Sequence, residues 1–482
     1  MYLLAVSWAV LGVGVPLIAL GALAVWRRPL VAVYAFVVGL AFHNAIFLGL
    51  WLAGAHGWQL TLLQAWKELL LATAILSCAW RAWRERRLPF ELGLLDAAVA
   101  ALAVVALAYL VLPNAALAGS AGAKARLYGL RELVLPVAAY AIGRSLALRR
   151  DDWRRIGAVV VGVSVAVAAV GLIEDYAIPL SVWRHAGAAR YFREQLHFPE
   201  FHGPAGLPEN VALNTSSGVF RRLASTYLSP LGTAYQLAVA LLVAAAWRGR
   251  RRLLVAVASA VMLAALALAL SRAAAIALVA ALVLLALVER RWLPAGAAVV
   301  VAGVTLGVAA AFTHVAPRAH FFPEDLAYQQ ANAKKHGGLS NGSPLTTSGT
   351  FSDTSSREHW AELRRSFHNF TRNPGGYGLG SGGQIAQRFG GDVAAGESLY
   401  LTVAVETGVA GVLALFALVA ATLWELGRIA FRFRPAGVLL CAQAAVFAIA
   451  VQTEIWGVPW LVYVLWALTG AALTAARALE PA

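Results

Sequence analysis

The chain has 482 residues, of which 60% are hydrophobic and 13% charged, whereas a soluble domain averages roughly 45–50% apolar and 25% charged, so an ordinary soluble fold is excluded. The net charge of +15 does not point to nucleic acid, because many Lys and Arg stand in short connections between apolar runs, where membrane topology places them. Cys78 and Cys441 both lie inside apolar runs, which leaves a disulfide framework or cysteine metal site unsupported and reads as two small buried hydrophobes.

Met1–Val25 has no basic leader region, and its apolar stretch is longer than the core of a signal peptide, so it reads as a first span. Runs such as Leu253–Leu270 and Ala295–Phe312 approach the roughly 20 apolar residues that a helix needs to cross a bilayer. Lipid offers the backbone no hydrogen bonds, so such runs are helical; the alternating ten-residue segments of a barrel are absent. About 13 candidate spans begin near residues 3, 30, 59, 92, 126, 155, 223, 253, 273, 293, 398, 436 and 459. Basic clusters at Arg27–Arg28, Arg81–Arg87, Arg149–Arg155, Arg248–Arg252, Arg290–Arg291 and Arg428–Arg434 fall at every second connection, which predicts that those connections are cytoplasmic. With thirteen spans the N-terminus faces out and the C-terminus in. The expected organisation is therefore N-terminal spans over 1–177, an outer loop over 178–225, central spans over 226–312, a large outer loop over 313–397 and C-terminal spans over 398–482.

The second outer loop carries helix signals of its own. Pro323-Glu324-Asp325 opens a helix, with proline in the first turn and acids at the positive end of the dipole, and Lys334-Lys335 before Gly337-Gly338 closes it. Leu339–Thr354 is rich in Ser, Thr and Gly and reads as a mobile stretch. Ser355 and Glu358 have capping-box spacing, and behind them Trp360, Leu363, Phe367 and Phe370 share one helical face. Arg357, Arg364, Arg365 and Arg372 ride on the same helix, and Asn373-Pro374-Gly375-Gly376 ends it.

Charges inside apolar spans are expensive and mark function by default. Lys67 and Glu68 interrupt the third span, and Arg131 and Glu132 lie about one turn into the fifth. For Lys67 and Glu68, a mutual ion pair with no further role carries about equal weight. Arg222, before the seventh span, and Arg272, between two spans, are expected at the same outer level. Two guanidiniums there suit bidentate capture of a diphosphate, with Arg221 in reserve; contact with lipid headgroups or a helix end explains them equally well. Glu397 closes the large outer loop at the threshold of a span. It suits a general base, although an acid at a helix N-terminus is the commoner reading. The loop histidines His314, His320, His336, His359 and His368 lack metal-ligand spacing, and Gly375–Gly383 lacks the Lys-Ser/Thr of a P-loop.

Taken in order, four blocks resemble the O-antigen ligase/polymerase family of bacterial membrane glycosyltransferases. They are Arg221–Pro230, Leu270-Ser271-Arg272, Trp360 through Asn373-Pro374-Gly375-Gly376-Tyr377-Gly378-Leu379-Gly380, and Glu397-Ser398-Leu399-Tyr400 followed by Glu406, Gly408 and Gly411. Ligases of lipid A core usually carry His at the position of Glu397, so glutamate there looks more like the polymerases. The resemblance implies an all-α, polytopic transmembrane bundle of about 12–13 spans, GT-C-like, with a large periplasmic loop containing helices, in the bacterial inner membrane. It implies inverting transfer from an undecaprenyl-diphosphate-linked oligosaccharide to a glycan or lipid-linked glycan acceptor, without cofactor or metal. In that scheme Arg222 and Arg272, with Arg221 behind them, bind the diphosphate and Glu397 takes the acceptor proton. Arg357, Arg364, Arg365 and Tyr400 contact substrate from the loop and the span, membrane lipids surround the bundle, and a chain-length regulator is a further expected partner. Surface-polysaccharide polymerase is the preferred reading. Ligation to lipid A core or to protein is its neighbour, and transport of a lipid-linked glycan is the alternative of another class.

Overall fold

The computed structural model describes residues 2–86, 90–113, 116–215, 217–249, 251–335, 354–389 and 398–477. Among them the elements run α1 (Tyr2–Arg27), α2 (Leu30–Leu52), α3 (Gly57–Gln64), α4 (Trp66–Glu85), α5 (Leu94–Val111), α6 (Ala123–Arg144), α7 (Arg150–Ala177), α8 (Leu180–Ala186) and α9 (Ala188–Arg190). Strands β1 (Ala212–Thr215) and β2 (Gly218–Arg221) follow, then α10 (Pro230–Ala245), α11 (Arg252–Leu268), α12 (Arg272–Glu289) and α13 (Trp292–Val315). The chain continues through β3 (Arg318–Ala319), α14 (Pro323–Lys335), α15 (Thr354–Arg372), α16 (Gly383–Phe389), α17 (Leu399–Ala430), α18 (Arg434–Ile449) and α19 (Pro459–Arg477).

The protein is an all-α polytopic bundle. Nine helices among the described residues are long and apolar enough to cross a membrane, counting α3 and α4 as one, and α10, α11 and α18 are shorter apolar helices. The helix α6 completes the set of expected positions; its Lys124, Arg126, Arg131 and Glu132 lower its mean hydropathy. Two boundaries differ from the sequence reading. The third span breaks at Ala65 into α3 and α4, immediately before Lys67 and Glu68. The seventh begins at Pro230 rather than near 223, because Ser229 caps it and Pro230 takes its first position. The small antiparallel sheet was not expected either. β1 pairs with β2 and β2 with β3, with Phe220 opposite Arg318, and so a strand from each outer loop is joined to the other. Among the described residues the two loop helices run Pro323–Lys335 and Thr354–Arg372; the first begins and the second ends as read, while Ser355, expected as a cap, lies inside the second.

The helix α19 lies at the centre, with Trp460 through Ala472 all buried. It approaches α6 so closely that a Cβ on Gly143 would stand 1.9 Å from the Ala467 carbonyl oxygen, and one on Gly470 2.4 Å from that of Tyr140; small residues permit this contact where lipid gives no hydrophobic drive. At the basic end, the buried Arg144 guanidinium forks onto Asp96, at 3.0 and 3.1 Å. It also donates to Thr474 Oγ1 at 2.9 Å, while the Tyr140 hydroxyl donates to Asp96 at 2.8 Å. Asp96 in turn accepts from the Gly93 backbone N–H and closes the first turn of α5. Three helices are thus pinned by one ion pair.

Removing one member of a buried pair strands the other. Asp96→Ala is therefore expected to cost about 3–5 kcal/mol of stability, measured by unfolding in detergent micelles; an unchanged unfolding midpoint would show that the pair does not hold these helices.

Candidate functional site

At the opposite end, α11 stops at Leu268 and α12 starts at Arg272. The turn between them places Leu270 in the left-handed region, at φ +50°. A helix end leaves its last carbonyls without intrahelical donors. Arg222 supplies them: its guanidinium donates to the Ala269 oxygen at 3.2 Å, the Leu270 oxygen at 3.3 Å and the Asn210 oxygen at 3.0 Å. Ser271 caps α12, accepting from Ala274 N–H, and Arg272 occupies the first helical position with an exposed side chain. The structure therefore brings the half-buried Arg222 to the turn that carries Arg272, at the positive end of an 18-residue helix. Two guanidiniums beside a helix N-terminus suit a phosphate-class anion.

Arg221 goes elsewhere. Neighbouring strand residues point to opposite faces, and Arg221, at the end of β2, turns inward. Its guanidinium meets Glu174 at 2.6 Å and Asp175 at 3.0 Å and donates to the Ile178 oxygen at 2.6 Å. Those contacts tie β2 to the C-terminal turn of α7, so Arg221 is not brought to the turn that carries Arg272.

Glu397 lies outside the described residues, as does the Arg357 side chain. The residues after Glu397 are well anchored: Leu399 N–H donates to the Ala450 oxygen at 3.0 Å. The Tyr400 hydroxyl donates to the Phe447 oxygen at 3.1 Å and its ring stacks on Phe416. Tyr400 thus holds α17 to α18. Arg364 and Arg365 are exposed on α15 and bond within it, to the Trp360 oxygen and to Glu362. Trp360 and Phe367, on the apolar face of that helix, also remain exposed.

A second group of residues was quoted as a motif without a role. The buried Glu406 carboxylate accepts from Gly380 N–H at 2.9 Å and Gly382 N–H at 3.3 Å. Nearby, the buried Glu454 carboxylate accepts from Gln384 N–H at 2.8 Å and the Thr402 hydroxyl at 2.6 Å. Backbone bonds from Tyr377 N–H to the Val405 oxygen and from Val409 N–H to the Pro374 oxygen complete the seam. The glycine segment after α15 and the first two turns of α17 are therefore one interlocked unit. Gly408 shows why: at φ +60°, ψ −155° it adopts a conformation open essentially to glycine alone, and a Cβ there would lie 2.2 Å from the Pro374 oxygen. The spacing of Glu406 and Gly408 was visible in the sequence. Glu454 carried no local signal at all.

Residues 257–417 match the family model for O-antigen ligase. The matched stretch runs from α11 through the Arg272 turn to Glu406 and Gly411, and it bears out the resemblance to the O-antigen ligase/polymerase family. No curated protein matches the chain.

Gly408→Ala is expected to abolish folded protein or lower its stability by more than about 3 kcal/mol, from backbone strain together with the clash. Size-exclusion profiles and melting in detergent read this directly, and a wild-type profile would mean that the seam is not rigid.

Proposed function

On the premise that residues 257–417 form an O-antigen ligase family domain, we propose that this multi-pass membrane protein is a surface-polysaccharide polymerase. It acts at the periplasmic face of the bacterial inner membrane and transfers a glycan from an undecaprenyl-diphosphate donor with inversion. The reading is supported above all by Arg222 seated on the Leu270-Ser271-Arg272 turn at the start of α12.

In the proposed step, the acceptor hydroxyl oxygen attacks the anomeric carbon and the bond from that carbon to the diphosphate oxygen breaks. The electron pair leaves with undecaprenyl diphosphate, and the proton passes to the Glu397 carboxylate. Charge grows on the diphosphate as the bond breaks. Arg222, Arg272 and the α12 N-terminus are fixed in advance to meet it. The basic clusters at the other end, where Arg248, Arg291 and Arg434 gather on Glu289, favour the cytoplasm for that side.

Reconstitution in liposomes with a purified undecaprenyl-diphosphate oligosaccharide tests the proposal. Release of undecaprenyl diphosphate together with a longer glycan is expected. Leaflet exchange without bond cleavage would instead make the protein a transporter, and transfer only to lipid A core or protein would make it a ligase. Arg272→Ala and Glu397→Gln are each expected to lower turnover at least a hundredfold with expression intact; full activity of either variant would remove that residue from the mechanism.

A further inference from the structure

The charges inside the third and fifth spans form a polar cluster in the distal half of the bundle. Arg131 lies about 12 Å from the start of α6 at 1.5 Å per residue. Its Nε donates to Glu68 Oε1 at 2.9 Å and its Nη2 to the same oxygen at 2.5 Å. Lys67 stands 3.6 Å from the other Glu68 oxygen and 3.5 Å from His43 Nε2. Mutual pairing explains why these charges are tolerated, but not their remaining exposure: 31% of the Arg131 side chain and 33% of the Glu68 side chain stay accessible. Charges at such depth face protein or water rather than lipid, so the open side of the pair is a wet recess.

That recess lies between the two parts of the site already described. The Arg222 segment packs on either side of His43: the Thr226 hydroxyl donates to the Ala41 oxygen and the Asn44 amide to the Tyr227 oxygen. On the other flank, Arg388 belongs to α16, whose second residue, Gln384, donates to Glu454. Arg388 lies over the Phe198 ring at 4.1 Å and within electrostatic reach of Arg131 and Glu132. Residues after α9 cover the recess: Gln195 donates to Gln64 at 3.2 Å, and Gln64 to the Tyr191 hydroxyl at 3.5 Å. Burial holds the Tyr191 phenol above its ordinary range, so it remains a hydroxyl donor.

The chemistry of the cluster names the ligand. Arg388 Nε is a buried donor without a hydrogen bond, and Glu68 Oε2 is an acceptor held by the Lys67 ammonium at 3.6 Å. The cations Lys67, Arg131 and Arg388 are nearly balanced by Glu68 and Glu132, and the Arg131 fork is already occupied, which disfavours a phosphate. Amides, a phenol, a carboxylate oxygen and a guanidinium N–H in a near-neutral recess suit vicinal hydroxyls. We propose that this cluster is the subsite for the acceptor saccharide, binding it through hydroxyl groups beside the bound diphosphate. The proposal rests on the glycosyl-transfer reading above.

The test uses the full-length protein in lipid nanodiscs and two probes. One is the lipid-free oligosaccharide released by mild acid from the cell's own surface polysaccharide; the other is undecaprenyl diphosphate. Glu68→Gln and Arg388→Gln are each expected to weaken oligosaccharide binding about tenfold and to leave undecaprenyl diphosphate binding within about twofold. Arg272→Ala should do the reverse. Arg388 lies on a short helix outside the span core, so Arg388→Gln carries the test if Glu68→Gln does not fold. Wild-type oligosaccharide affinity in a folded variant, or no binding to the wild type, overturns the subsite. Undecaprenyl diphosphate binding that survives Arg272→Ala counts instead against the reading of the diphosphate site.

Discussion

Two transmembrane helices that meet at a membrane boundary leave carbonyls at one end and N–H groups at the other. Here the first helix is α11 and the second α12, and the carbonyls at the end of α11 are taken by Arg222 from the segment after β2. This interaction joins the Ser271-Arg272 turn to the segment after β2 and sets a second cation beside the α12 N-terminus. In the proposed mechanism, capping and anion binding fall to the same side chain. The two readings that the sequence leaves in balance for Arg222 are therefore compatible: a guanidinium that satisfies carbonyls through some of its five N–H groups keeps its full charge for a ligand.

The same economy recurs through the bundle. Several deeply placed charges meet partners from remote parts of the chain: Arg144 with Asp96, Arg221 with Glu174 and Asp175, Arg131 with Glu68. Buried carboxylates also hold backbone N–H groups. Glu406 and Glu454 take backbone N–H groups from the segment that follows α15, so the glycine-rich end of the second long loop is fastened at the start of α17. Residue 397 directly precedes that fastened segment.

Much of the architecture is legible in the sequence because hydropathy is local. A run of apolar residues predicts a helix wherever it occurs, and each of the thirteen expected positions holds one. Capping chemistry is equally local, so the start of α14 and the end of α15 were readable from Pro323 and Asn373-Pro374. The later start of α10 was written in Ser229-Pro230, a cap signal that the apolar run before it obscured. Partnership across the fold was not legible. Arg221 and Arg222 are adjacent and chemically identical, and only strand alternation sends one to a buried ion pair and the other to the α11 end. Tyr400 sits in a quoted motif, yet its hydroxyl is used on the Phe447 carbonyl. Glu454 has no motif around it, and its contact with Gln384 spans 70 residues.

The central claim is that Arg222, Arg272 and the first turn of α12 hold the diphosphate of a prenyl-linked donor. A density map of the protein in nanodiscs with undecaprenyl diphosphate bound tests it most directly. The expected result is diphosphate density within hydrogen-bonding reach of both guanidiniums and the α12 N-terminus. Diphosphate seated elsewhere, for instance against Arg248, Arg291 and Arg434 at the opposite end, would contradict it.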